Sequence, residues 1–584
     1  MSALLYLPAT SVTYRTLPTQ DGSGWTVIAP SSDSRVVYVS SSSGNDTTGN
    51  YTLGSAITPG TAQTGLPAGA IACATVAHAR TLVRDGYPDW ILLKCGDTFA
   101  EPIGAFNNTG GRSAAEPFVI SSYGASAARP IIQPASSSSS ASMLTHGGST
   151  VTAHIYLIGV ELYNPYRDPN NVAYVHDGSG YATSPDVQSI FWLGGGNDIL
   201  IEDCFIHFVG GGLVVQTQSG AFTSNVTLRR SIITDIYATG GHTQGTYLDT
   251  VDGMVIEECI FDHNSWNVVA GVNASIYNHH IYMYNQTNTL IRKNLFLRAE
   301  SLSTKCMSRG LNVAHDITYD NNLYFEGEVG ISASYSDTSG NTNAPGGGSC
   351  IVNLNIINNV FSQVDRDNPT SRGLGWGVQL TTVGSTIIQA NVFSDFSHVS
   401  GNNYAILLTG AGDADSTCSS VLITQNILKG IGTQNIVMQP QAPWSGIQVI
   451  NNAIQDAGLG SQLQAVVGSF SALSYASNIY SASNSANFAS VGGVAKTYAQ
   501  WLTASGETGS IIQTLGFVDS SRTLDSYVAT LGMSLADYYA AVRTVSKANW
   551  HPEYLAPAVN DYVRAGFAVA STGQATHWRP KFLS

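Results

Sequence analysis

One short phrase recurs along the middle of the chain: a β-branched or other apolar residue, a polar pair, Asn or a small residue, then two apolar residues. It reads LIGVEL at 157–162, IEDCFI at 201–206, LRRSII at 228–233 and IEECIF at 256–261. It continues as IRKNLF at 291–296, YDNNLY at 319–324, INNVF at 357–361, IQANVF at 388–393, ITQNIL at 423–428 and INNAI at 450–454. The copies stand 26 to 44 residues apart. A length of 584 residues would otherwise suggest about four globular domains, but near-copies at such intervals specify a solenoid. Apolar and polar residues alternate within each copy, which is the period of a strand. The intervals are too short for strand–helix units and suit coils of two or three short strands joined by variable loops.

This pattern resembles the right-handed parallel β-helix of pectate-lyase-like proteins, over roughly residues 150–460. The resemblance implies an all-β solenoid, a single-stranded parallel β-helix. The Asn in NLF, NVF and NIL resembles the internal Asn ladder of that family, with stacked amides satisfying turn backbone along the axis. The flanks resemble caps. Residues 34–125 hold VVYVSSSSGND, a helical pattern near Cys73–Arg84 and WILLKCGDTF, expected to form an N-terminal cap with a cap helix and the first coils. Residues 1–33 read as a lead-in segment and 126–470 as the β-helix carrying the groove. Residues 471–584 turn largely helical, with an S-x-x-D start signal at Ser534–Asp537, and are expected to cover the last coil, whose edge would otherwise be sticky.

Composition narrows the function. Charged residues are 11% of the chain and hydrophobic ones 43%, with 28 Tyr, 18 Phe and 9 Trp, so wholesale disorder is excluded. A net charge of −14 without any Lys/Arg run argues against nucleic acid as the main partner. No apolar run reaches the length of a membrane span. Met1–Pro8 lacks the positive start and apolar length of a signal peptide, so synthesis in the cytoplasm and release without that signal are expected. Seven cysteines without a CxxC pair argue against a disulfide framework or zinc site. Cys204 and Cys259, in matching phrases, read as small buried residues. No cofactor or metal motif is present, and none is expected to be needed.

Three successive stretches carry the densest functional text: 240–266, 278–296 and 301–324. Aligned on the following repeat, Thr246, Ile281 and Cys306 share one face with Leu248, Met283 and Ser308. Gly245, His280 and Lys305 fall on the other, beside Tyr247, Tyr282 and Met307, then Asp249, Tyr284 and Arg309. One outer face is thus expected to present His280, Lys305, Arg309, Tyr247, Tyr282, Tyr284 and Asp249 within three coils, about 10 Å along the axis. Five of the 25 cations (Arg292, Lys293, Arg298, Lys305, Arg309) lie within 292–309. A cationic cluster in an acidic protein suggests an anionic ligand. The Tyr trio, Trp266 and Trp376 offer flat rings for stacking on sugars, and His242, His263 and His279 offer further binding groups.

Two chemistries compete for this face. β-Elimination from a uronic-acid glycan, the favoured one, needs Arg309 to neutralise the carboxylate, Lys305 or His280 as base, and Tyr282 or Tyr284 as acid. SLSTKCMSRG loosely resembles the Lys and Arg of some β-helix polysaccharide lyases. Glycoside hydrolysis needs two carboxylates at a defined spacing, from Asp249 with Asp262, Asp252, Glu326 or Glu328. The absent signal peptide, caps and sugar-like face together resemble a bacteriophage tailspike. That resemblance implies a virion-borne, extracellular homotrimer that binds and cuts bacterial capsular or O-antigen polysaccharide, without nucleic acid or membrane insertion. A secreted bacterial lyase and a non-catalytic carbohydrate-binding adhesin are the alternatives.

Overall fold

The computed structural model describes residues 14–56, 63–148, 150–217, 222–309, 313–336, 349–398, 402–410, 417–440, 444–455, 462–481 and 486–569. Among them the strands form three long sheets of 16, 14 and 14 members. The chain visits the sheets in turn. Thr287–Arg292 lies in the first, Leu295–Leu297 in the second and Leu302–Arg309 in the third, and Ala314–Asp320 returns to the first. Apart from an antiparallel pair at one end of the first sheet and one of the third, each strand pairs in parallel with the equivalent strand one coil away, for example Leu295 with Leu323 and Phe296 with Tyr324. This is the parallel β-helix expected from the repeat.

The repeated Asn marks the turn between the first and second sheets. Nδ2 of Asn294 donates to Oδ1 of Asn322 at 3.0 Å, and the pattern continues through Asn359, Asn391, Asn426, Asn452 and Asn478 at 2.9 to 3.1 Å. Each amide oxygen also accepts a backbone N–H from the preceding coil, as Asn391 does from Asn359 at 2.8 Å. Every amide is fully buried, so the ladder satisfies groups that would each cost about 1–3 kcal/mol if left unpaired. The residue before each ladder position holds a left-handed backbone, with φ near +57° at Lys293, Gln425 and Asn451, which makes the sharp turn. Upstream the position is filled by Cys204, Ser231 and Cys259, all buried.

The two apolar residues that close each phrase point in opposite directions. The second points in. Phe261, Phe296, Tyr324, Phe361 and Phe393 stack along the interior with centroids 5.2, 4.9, 4.6 and 4.6 Å apart. The first points out, yet Ile260, Leu295, Leu323, Val360, Val392 and Ile427 are buried.

The C-terminal region explains that burial and departs from the expectation that it only covers the last coil. Helix α1 (Val76–Leu82) closes the start of the solenoid on Val76 and Ala79. Helix α2 (Tyr498–Ser505) closes the end, with Trp501 against Phe470, Tyr475 and Phe488. The chain then doubles back. Helices α3 (Leu524–Thr530), α4 (Leu535–Val542) and α5 (Ala556–Gly566) lay Leu524, Tyr538, Val542, Val559 and Val563 on the outward row of the second sheet. Full burial of one such aliphatic is worth about 1.5–3 kcal/mol. Helix α4 starts at the capping box Ser534–Asp537. The lead-in packs on the first sheet: Arg15 pairs with Asp198, Thr26 hydroxyl donates to buried Glu202 at 2.6 Å, and Arg229 donates to Gly24 O at 2.9 Å.

Candidate active site on the third sheet

With the lead-in on the first sheet and the helices on the second, the described terminal segments leave the outward face of the third sheet to solvent. A groove of about 440 Å³ lies on it, lined by Phe191, Val214, His242, Tyr247, Tyr282 and Tyr284 among others. Strand register builds this face. One outward row runs Phe191, Val214, Tyr247, Tyr282, Lys305, Ser332, Gln379 from coil to coil. The next runs Gln216, Asp249, Tyr284, Met307, Ser334.

The centre of the face is a cation set among phenols. Nζ of Lys305 lies 4.9 Å from the Tyr282 ring centroid. The Tyr282 and Tyr284 hydroxyls hydrogen-bond each other, and the Tyr247 ring meets both edge-on at 5.7 and 6.3 Å. Burial, followed by the Arg372 charge, holds the Lys305 ammonium below its ordinary pKa. Asp249 stands next to Tyr284 in register and accepts from the Thr250 hydroxyl at 2.9 Å. Exposed His242 stacks on Tyr277 at 4.8 Å beside the groove.

The register corrects the alignment read from the sequence. Lys305 pairs with Tyr282 and not His280, and Met307 pairs with Tyr284. Strand Leu302–Arg309 runs two residues longer than His279–Tyr284, so counting back from the next repeat slips by two. A slip of two keeps each side chain on its face. Arg309 therefore lies at the strand's far end, paired in backbone register with Ser336; its side chain is outside the described residues.

His280 is a correction: it faces the interior. Strand alternation would point His280 outward opposite Ile281, yet the two consecutive residues are both fully buried. The His280 ring lies 6.0 Å from Phe261 and 6.2 Å from Phe296, with Nε2 2.9 Å from Leu297 O. Burial pushes its pKa down to about 4, and it has no access to a ligand as base. His279 is also fully buried, edge-on to Tyr282 at 5.2 Å. Burial first, then the Lys305 and Arg372 charges, holds it neutral, so it supports the Tyr282 ring and does not meet a ligand directly.

The remaining candidates separate. Trp266 is buried against His263 at 4.3 Å and lines a different cavity, of about 490 Å³, with Arg298, Asp367 and Thr370. Trp376 lies on the third sheet, stacked on Tyr404 at 6.0 Å, three coils from Tyr282 or about 14 Å. The cationic cluster is divided among the sheets: Arg292 pairs with Glu257 at 2.6 Å, Lys293 with Glu258 at 3.7 Å and Arg298 with Asp262 at 2.6 Å. Lys305 is the cation of that cluster that stands next to the groove among the described side chains, through its contact with the groove-lining Tyr282 ring. None of the carboxylates weighed as partners for Asp249 is free beside it: three lie on the first and second sheets or directly after them, and Glu328, directly before third-sheet strand Val329–Ser336, is fully buried and paired with Arg372. Asp252 binds Thr287 and Asn288 on the first. Asp262, on the second, is clamped by Arg298 and Arg543, which hold its pKa down to about 2. Glu326 accepts from Tyr539 at 2.7 Å, and Glu328 pairs with Arg372.

Sequence reading missed the charged support behind Lys305. Arg372 Nε donates to fully buried Glu328 at 2.8 Å, and Nη2 donates to Ser301 at 2.7 Å. Glu300 is fully buried beside them, its Oε2 without a partner among the described residues, and burial pushes its carboxyl up to about 9. The only signal in the sequence was a Glu four residues after the apolar pair on two successive coils, Glu300 in LFLRAE and Glu328 in LYFEGE. Among the described residues no group of three His, Cys, Asp or Glu is placed to hold a metal ion.

No protein-family model matches the sequence, and no curated protein matches it. Solved structures do. The tailspike protein of E. coli bacteriophage HK620, a double mutant, is 11% identical with a TM-score of 0.44, over 69% of this chain and 72% of that one. The A-module of an Azotobacter vinelandii mannuronan C-5 epimerase is 12% identical with a TM-score of 0.38, over 73% and 89%. A rhamnogalacturonan lyase is 14% identical with a TM-score of 0.35, over 71% and 84%.

Proposed function

We propose that the protein binds an acidic polysaccharide along the third sheet and cleaves it by β-elimination. The observation that carries this reading is the Lys305 ammonium against the ring of Tyr282, whose hydroxyl is bonded to that of Tyr284 in a solvent-open groove. Elimination needs a base for the C5 proton. Lys305, with its pKa held low, is the base when neutral. The C5–H electrons form the C4=C5 double bond as the C4–O4 bond breaks. The Tyr282–Tyr284 hydroxyl pair supplies the proton to the leaving O4. Arg309 keeps the role of neutralising the uronate carboxylate, and Tyr247 and His242 that of stacking on flanking sugars. Hydrolysis through Asp249 is disfavoured because Asp252, Asp262 and Glu326 belong to the other two sheets and Glu328 is buried and paired with Arg372.

The glycan is proposed to be a bacterial capsule or O-antigen, met by a tailspike-like trimer. The test is incubation with acidic bacterial polysaccharides, with mass spectrometry of the products. Products lighter by one water than hydrolysis fragments, with the ultraviolet absorbance of an unsaturated uronate, support elimination. Fragments carrying added water overturn it in favour of a hydrolase. Binding without shortening leaves the adhesin. Light scattering at the mass of one chain overturns the trimer.

A further inference from the structure

We infer that a second site for acidic sugars lies on the opposite flank, where the C-terminal segment arches over the turn between the first and second sheets; the ligand class rests on the proposed function. The left-handed turn residues form a column there, one per coil: Asp203, Arg230, Glu258, Lys293, Asn321, Asn358. The C-terminal segment is fastened to both ends of this column. At one end the Lys547 N–H donates to Asp203 at 2.9 Å. At the other, Asn560 Nδ2 donates to Asn321 Oδ1 at 2.9 Å and Arg564 to the Asn358 carbonyl. Between these anchors, over Arg230, Glu258 and Lys293, the segment stands off the solenoid and encloses an open cavity of about 790 Å³.

The lining has the makings of a sugar-acid site. Trp25 of the lead-in and Trp550 of the C-terminal segment meet edge-on at 5.0 Å. The Arg230 guanidinium sits between them, 4.4 and 4.8 Å from the two rings, fixed by Glu258 at 2.6 Å and Ser23 O at 2.8 Å. Two ammoniums remain for a ligand. Lys293 is 40% exposed and only loosely paired with Glu258 at 3.7 Å. Lys547 rests 5.8 Å from the Trp25 centroid, without an ion pair among the described residues. Glu258 is the one carboxylate in the lining; nearby Asp21 accepts from the backbone N–H groups of Ser23 and Trp25, and its charge also reaches Lys547 and Arg230. Three lining cations against Glu258 and nearby Asp21 leave a local excess of positive charge in a chain of net charge −14, which selects an anion. The partly exposed Trp550 ring, backed by buried Trp25 and beside two ammoniums, suits a pyranose carrying a carboxylate. Such a site would hold a long polymer at a second point and raise its effective concentration at the groove.

The test is calorimetric titration of the full chain with tetragalacturonate, with maltotetraose as the neutral control, while following tryptophan fluorescence. Lys305→Ala should lose the groove event and keep the fluorescence-reporting one. Lys293→Ala with Lys547→Ala, both at partly exposed positions, should keep cleavage of short substrates and weaken the fluorescence-reporting event by about tenfold or more. Unchanged circular dichroism and melting verify that the double variant folds. An unchanged affinity in that variant, equal binding of maltotetraose, or a fluorescence change that disappears with Lys305→Ala overturns the second site. Failure of cleavage alone, with this binding intact, counts against the elimination reading and leaves the second site standing.

Discussion

Lys305 and Tyr282 occupy the same register position on adjacent coils, and the ammonium lies 4.9 Å from the ring centroid. The contact holds the cation over the phenol whose hydroxyl is bonded to Tyr284. Lys305→Ala should lower turnover about a hundred- to ten-thousand-fold, while leaving the melting temperature nearly unchanged. The pH profile gives a sharper check. Lys305 works as a base when neutral, so kcat/KM should rise with pH and level off above its depressed pKa. Arg372 contributes to that depression. Arg372→Gln combined with Glu328→Gln removes the charge without stranding a carboxylate, so the Lys305 pKa climbs and the rising limb moves to higher pH. A limb that stays in place removes Lys305 from the base role.

Local periodicity carried the interior into the sequence. Asn359 and Phe361 repeat one per coil because each stacks on its own kind, so a single phrase showed both columns. The same phrase held a signal for the C-terminal helices: Val360 beside Phe361 puts apolar residues on both faces of one strand, which requires a cover outside. The site was less legible. The inward placement of His280 depends on room beside Phe261 and Phe296 and on polar partners at Asn264 and Leu297 O, none of which alternation encodes. The pairing of Lys305 with Tyr282 depends on a strand lengthened by two residues. Arg372 reaches the rear of Lys305 from a loop two coils later in the chain, and Lys293 and Lys547 share a cavity although they lie at distant points of the sequence.

The ladder predicts a stability loss that depends on position. Asn359 donates to Tyr319 O at 3.0 Å and to Asn391 Oδ1 at 3.1 Å, and its own Oδ1 accepts from Asn322. Asn359→Ala leaves buried donors and acceptors unpaired on both neighbouring coils. Unfolding free energy should fall by about 2–4 kcal/mol, measured by denaturant titration. Asn45→Ala, at an exposed turn near the N-terminal cap, should cost less than half as much. Equal losses would show that the stacked amides are not the source.

The helices on the second sheet are tied down by charge as well as by apolar contact. Arg543 donates to Asp262 and to Asp235, each at 2.7 Å, while Asp262 keeps Arg298 as a second partner. Arg543→Ala should therefore destabilise by about 1–3 kcal/mol, less than a fully broken buried pair. Asp262 has its pKa lowered from 3.8 to about 2 in the fold. A lowered carboxyl pKa stabilises above the unfolded value and is lost as pH falls through the folded one. The gap between wild type and variant in melting temperature should thus be full above pH 4 and shrink toward pH 2. A gap that persists at pH 2 would assign the effect to packing of the Arg543 stem.

Glu300 predicts the opposite slope. Its carboxyl is pushed up from 4.5 to about 9, mainly by burial. Between these values the unfolded chain releases a proton that the folded chain retains, so stability falls as pH rises. Glu300→Gln keeps an amide oxygen for the Ser275 N–H that Glu300 now binds and removes the ionisation penalty. The variant should match wild type near pH 4 and be more stable by roughly 1–3 kcal/mol at pH 7. Denaturant titrations at several pH values measure this difference, and it should grow steadily from pH 5 to pH 8. A constant difference would mean that Glu300 does not carry its proton in the fold. A variant less stable than wild type at every pH would mean that the carboxylate, ionised, is held by the Arg372 charge.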